Sequence, residues 1–242
     1  MAKELPGASG EVQVLLLDGG GFTTTDDTRI HADGHNRPYY LYDWCFYFHA
    51  HWDHCRPIKS EFPNAKVLFG PGTGSHCSPG HIRDGKIQPM VQWDSRFFGT
   101  SDVRTDPYDE LTGPWGPWGP FEQALDYFGD GSFWILQAPG HMKGNLAACA
   151  RLKSGEEIFD GVKQIANVSM PDGSMFCLHE SLGAALDTIG KLRMAVRDYG
   201  MHIAMAHDAE FIKEGKDSTL MSLLHPMFDE ECLSRIRAHQ QP

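Results

Sequence analysis

Tyr42-Asp43-Trp44-Cys45-Phe46-Tyr47-Phe48-His49-Ala50-His51-Trp52-Asp53-His54 carries an aromatic, apolar run straight into three histidines and an aspartate. The run over 42–48 reads as a buried strand bounded by polar residues. His49 and His51 are two positions apart, so an extended chain turns both imidazoles to the same side. Asp53 and His54 follow where the chain must leave the strand, and such a turn aims four donors into one space. A single histidine at a strand end is commonly a surface or hydrogen-bonded polar residue. Three with an aspartate over 49–54 form a ligand cluster. Imidazole nitrogens with a carboxylate suit zinc, and also iron or manganese.

The same pattern of strand followed by histidine recurs downstream. Gln123–Tyr127 and Ser132–Gln137 flank Phe128-Gly129-Asp130-Gly131, a hairpin signal. The second strand runs into Pro139-Gly140-His141, where glycine lets backbone approach closely. Asn145–Leu152 reads as another strand, 153–156 as a turn, and Glu157-Ile158-Phe159-Asp160-Gly161 as a strand that ends in a carboxylate. Glu180–Tyr199 has helical spacing, with Leu182, Ala185, Leu186, Ile189, Leu192 and Val196 on one face and Gly200 as its stop. Met201–Ala206 is then a strand closed by His207-Asp208, and Leu220–His239 a covering helix. His202 is an alternative to His207, but it stands at the strand start, away from the ligand-bearing edge.

Closer to the first cluster, Cys55–Phe62 is expected to open with a helix, Lys66–Gly70 to be a short strand, and 71–75 to be a turn. His76 and His81 then read as solvated loop histidines. Gly113-Pro114-Trp115-Gly116-Pro117-Trp118-Gly119-Pro120 excludes regular structure. Its two tryptophans serve either as a lid or as rings plugged onto the protein. Upstream, a strand within Glu11–Asp18 ends in Asp18-Gly19-Gly20-Gly21, and Thr23–Pro38 reads as loop.

A chain of 242 residues, 41% hydrophobic and 22% charged, suits one globular domain over 1–242. The net charge of -11 opposes nucleic-acid binding, which needs a basic face. No apolar run reaches membrane-span length, so no membrane partner is expected. Met1–Pro6 shows no signal-peptide core, and the expected location is cytoplasmic. Cys45, Cys55, Cys77, Cys149, Cys177 and Cys232 have no paired spacing and read as reduced packing residues.

His-Ala-His-Trp-Asp-His at 49–54 resembles the His-x-His-x-Asp-His signature of the metallo-β-lactamase superfamily. The order Phe-Gly-Asp-Gly-Ser and then Pro-Gly-His is similar to its fungal, lactonase-like members. The resemblance implies an α/β (α+β) four-layer αββα sandwich, here with a shortened N-terminal part, and two metal ions, zinc with iron or manganese as alternatives. It implies that His49, His51 and His141 hold one metal, that Asp53, His54 and His207 hold the other, and that Asp160 bridges them. It gives Asp53 the catalytic proton-handling role and Asp18 a supporting one. The implied activity is metal-dependent hydrolysis of an ester, lactone or thioester carbonyl in a small-molecule substrate. The alternatives are a mononuclear iron oxygenase of the same fold and a shortened metal-binding relative without turnover. The intervals from Asp18 to His49 and from His141 to Asp160 are the places where the sequence departs from the family pattern.

Overall fold

The computed structural model describes residues 3–10, 44–52, 54–55, 57–59, 63–152, 157–160, 167–169, 175–177, 179–204, 210–224 and 230–238. Its first half contains β1 (Trp44–Phe46), β2 (Lys66–Phe69), α1 (Thr73–Cys77), β3 (Ile82–Arg83), β4 (Lys86–Ile87), α2 (Ser95–Phe98), β5 (Asp109–Glu110) and β6 (Gly116–Trp118). The second half contains β7 (Phe121–Asp126), β8 (Phe133–Gln137), β9 (Leu146–Arg151), β10 (Glu157–Asp160), β11 (Asn167–Ser169) and β12 (Met175–Cys177). It closes with α3 (Leu182–Tyr199), β13 (His202–Ala204), α4 (Glu210–Glu214), α5 (Ser218–Met221) and α6 (Glu230–Ala238).

Two larger sheets organise these elements. β1, β2 and β5 form a three-stranded parallel sheet in that order. The other is six-stranded, ordered β13-β10-β9-β8-β7-β6, and antiparallel except where β13 joins β10. Side chains alternate along a strand, and here successive residues divide between different cores. On β8 and β9, Ile135, Leu146 and Ala148 join Leu68 of β2 in one core. Leu136, Ala147 and Cys149 point the other way and join Leu192 and Ala195 of α3. β2 repeats the division, with Leu68 in the shared core and Val67 and Phe69 in a third one with Cys77, Phe97 and Phe98 of α1 and α2. Small residues in the Leu-Ala-Ala-Cys-Ala run of β9 keep both faces of that strand buried without bulk.

Several sequence expectations are modified. The hairpin, the β2 strand and the long helix occur where expected. α3 is capped by the Ser181 hydroxyl and stopped by Gly200, whose φ of 72° is the left-handed conformation that glycine adopts without penalty. Its buried stripe, however, is Ala185, Thr188, Ile189, Leu192 and Ala195. Leu182, Leu186 and Val196 are 48%, 56% and 46% exposed, so the buried face is narrower than the apolar periodicity suggests. The described residues among 55–62 carry no helix. His76 lies within α1 rather than in a loop. The 113–120 segment contains β6, which holds the sheet edge, where the missing N–H of Pro117 is tolerated. Trp118 is buried and stacks on Trp134 with centroids 5.0 Å apart, and Trp115 packs into the core between the sheets. These rings plug into the protein and form no lid. The expected C-terminal helix is two helices, α5 and α6, and Pro226 lies in the sequence between them, where a proline cannot continue a helix. The strand expected within 11–18, the 23–38 loop and the 153–156 turn lie outside the described residues.

Candidate metal centre

β1 carries the chain into the first cluster, and hydrogen bonds fix where that cluster sits. Leu146, at the start of β9, donates its N–H to Phe48 O at 2.7 Å. Ala50 N–H, between the two histidines, points at the sulfur of buried Met142 at 3.3 Å. Cys55 Sγ donates to Ala50 O, and the N–H groups of His54 and Cys55 both donate to His51 O, closing the turn. The segment bearing His49 and His51 is thereby fastened to the turn that bears His141.

One ring nitrogen from each of His49, His51 and His141 lies within 4.8 Å of the other two. Tetrahedral zinc with bonds near 2.0–2.1 Å needs nitrogens about 3.3 Å apart, a spacing that small ring rotations reach from here. Ring centroids are 4.9 Å apart for His49 and His51, 4.6 Å for His49 and His141, and 4.8 Å for His51 and His141. His49 is buried. Three imidazoles that converge edge to face, one buried and one half-buried at His141, fit a divalent cation. His54 stands outside this trio, its ring 4.1 Å from that of His49.

The His141 turn has its own supports. Gly140 has a φ of 129°, and a side chain there would collide with the backbone of Ala185 on α3. Thr188 Oγ1 donates to Pro139 O at 2.8 Å, and Asn145 Nδ2 to Ala138 O at 2.7 Å. Trp93 lies parallel to His51 at 6.0 Å. His81, taken from the sequence as solvated, helps to place that tryptophan. Its Nδ1 accepts from Ser95 N–H at 3.1 Å, across the loop that carries Trp93. His179, which the sequence reading passed over, lies 5.1 Å from His141 and lines a small cleft with His141, Ala185 and Thr188. The signal was there to read, since Met175-Phe176-Cys177-Leu178 is another apolar run that delivers a histidine.

The remaining expected ligands are distributed as follows. Asp160 ends β10, with its backbone paired to Ala148 of β9 and Ala204 of β13. That register sets it two residues along β9 from Leu146, which bonds Phe48, so the start of β9 and the ends of β10 and β13 lie at one end of the six-stranded sheet, next to the chain that continues from β1. The Asp160 side chain, Asp53, His207 and Asp18 lie outside the described atoms. His202 Nδ1 is 2.8 Å from Asp217 Oδ2, an arrangement that ties β13 to α5. Burial raises the Asp217 carboxyl, but the His202 hydrogen bond and charge and the Leu220 and Thr219 backbone N–H groups together outweigh it, and the net direction is down. Next to the site, burial pushes the Cys77 thiol up to about 12, and the carboxylates of Glu180 and Glu110 add to the push. Cys55, Cys77 and Cys149 are buried thiols.

No protein-family model matches the chain. Among curated proteins, a stretch of 115 residues is 36% identical to the metallo-hydrolase mfmC of Annulohypoxylon moriforme, covering 46% of this chain and 27% of that protein. A stretch of 105 residues is 30% identical to the γ-lactamase MBL2 of Gibberella moniliformis, covering 43% of this chain and 40% of that one. The matched stretches thus span less than half the length of either relative. Among solved structures, an AiiA mutant of B. thuringiensis with N-decanoyl-L-homoserine bound at its active site is 16% identical, with a TM-score of 0.46, covering 72% of this chain and 58% of that one. The His-x-His-x-Asp-His signature and the two fungal relatives agree, and over these stretches the chain is similar to metallo-hydrolases of the metallo-β-lactamase superfamily.

Proposed function

We propose that the chain is a metal-dependent hydrolase acting on an ester, lactone, thioester or lactam carbonyl of a small molecule. The observation that carries the reading is the convergence of His49 and His51, after β1, with His141, after β8, on one point. The names of the fungal relatives support it, one a metallo-hydrolase and one a γ-lactamase. The proposed fold is the four-layer αββα sandwich, supported by the division of β2, β8 and β9 side chains among three cores.

In this reading His49, His51 and His141 hold one zinc ion. His54, Asp53 and His207 would hold a second ion, and Asp160 would be a carboxylate ligand available to both. Such a cation, when bound, acidifies water toward neutrality and polarises a carbonyl. The chain's own residues do the rest. The packed Met142–Ala50 contact keeps the two ligand segments in register, and Trp93 walls the His51 side. Asp53 is assigned the proton, which its carboxylate takes from the attacking water and returns to the leaving group.

Chelator-treated protein reloaded with zinc should hydrolyse at least one member of a panel of lactones, thioesters, esters and γ-lactams. His51→Ala should lose metal and activity together. Turnover by His51→Ala at the wild-type rate would contradict the reading. An iron-loaded protein that consumes oxygen and hydrolyses nothing would point to the oxygenase alternative.

A further inference from the structure

We infer that Glu180 is a positioning residue for the metal centre, a single side chain that fixes the His141 turn and ties it to the opposite wall. The inference rests on the metal reading above and assigns a role to a residue outside the ligand set.

Glu180 lies just ahead of α3, and three of its groups are engaged. Its backbone N–H donates to His141 O at 3.0 Å. Its Oε2 accepts from Lys143 N–H at 3.0 Å. Its Oε1 is 2.6 Å from Nε2 of His76 on α1. The next residue continues the attachment, with Ser181 N–H donating to Gly140 O at 3.0 Å. The backbone on both sides of the His141 side chain is therefore held by residues at one helix end, and the Glu180 carboxylate adds the far side of the turn. Through His76 the same carboxylate reaches the other ligand arm, because His76 packs on Trp93 at 5.4 Å and Trp93 lies parallel to His51.

Glu180 and His76 have side chains 37% and 32% exposed, so their contact itself contributes little to global stability. Its effect is geometric. A ligand that arrives on a turn must be held to within a fraction of an ångström before the metal binds, and groups behind the ligands commonly set metal affinity by about 10–100-fold. The Lys143 and His76 contacts both depend on the carboxylate, and neither survives truncation.

The test is zinc binding by chelator competition on the full chain, for wild type, Glu180→Ala, Glu180→Gln and His76→Ala, with cobalt(II) absorption as a report on coordination geometry. Glu180→Ala should weaken zinc binding about tenfold or more and alter the cobalt spectrum, while the melting temperature of the metal-free protein stays near that of wild type. Glu180→Gln keeps an acceptor for Lys143 N–H and should recover most of the affinity and the wild-type spectrum. His76→Ala should fall between them. Zinc affinity within about twofold of wild type in Glu180→Ala overturns the inference. Should that variant fail to fold, wild-type affinity and spectrum in His76→Ala overturn it equally. A wild-type chain that binds no zinc refutes the metal reading itself, an outcome distinct from either.

Discussion

At the scale of single residues, the environment of the histidine cluster is specified as closely as the histidines themselves. Met142 and Cys55 would pass in a sequence as ordinary packing residues, yet both hold Ala50 between His49 and His51. Cys77 is the contrasting case, close to the site but chemically quiet. Burial, Glu180 and Glu110 push its thiol up to about 12, and only the thiolate reacts. Alkylation of native protein by iodoacetamide at pH 8, read by mass spectrometry, should therefore modify Cys77 about a thousandfold more slowly than an ordinary exposed thiol. Labelling at the ordinary rate would show that the α1 pocket opens freely. The clustering of His49, His51 and His141 was legible because each stands just after an apolar strand. Trp93, Glu180 and the bracing role of His81 were not, since each acts through a contact between segments far apart in sequence, and spacing along the chain does not encode that.

At the scale of elements, α3 shows both the reach and the limit of periodicity. Its extent, its Ser181 cap and its Gly200 stop follow from local chemistry that the sequence displays. The face that turns inward depends on the sheet it meets, and the apolar positions alone could not choose between 185/189/192 and a wider stripe. Leu192→Ala should cost about 2–5 kcal/mol in urea unfolding, whereas Leu186→Ala should stay within about 0.5 kcal/mol of wild type. Equal losses would mean that the helix is rotated from its described setting. α2 offers a pH-dependent test. The Asp94 carboxylate accepts from Arg96 N–H at 2.8 Å to cap the helix and also pairs with the Arg96 guanidinium. Burial raises this carboxyl, and the Arg96 hydrogen bonds and charge outweigh that effect and hold it below its ordinary value. A lowered carboxyl stabilises the fold above its unfolded value, near 3.9, and the benefit disappears as the pH falls through the lower folded value. Asp94→Ala should thus be about 1 kcal/mol less stable than wild type near neutral pH, with the gap closing below about pH 4. A gap that widens in acid would contradict the assignment.

At the scale of the whole molecule, the histidine cluster forms because segments distant in sequence meet at one end of the six-stranded sheet. β1 delivers His49, the β8–β9 connection delivers His141, and register brings the ends of β10 and β13 alongside. The sequence displayed each strand followed by its polar terminus. It did not display the order of strands in the sheets, which rests on non-local pairing and on small residues such as those of β9 that let two faces pack at once. The claim that unites these observations is that His49, His51 and His141 together hold a divalent metal. Its most direct measurement is zinc titration of chelator-treated protein by calorimetry, comparing wild type with the variant carrying His49→Ala, His51→Ala and His141→Ala. The account predicts saturable binding of one or two zinc ions in wild type and loss of the tightest site in the triple variant. The same tight site in both proteins would contradict it.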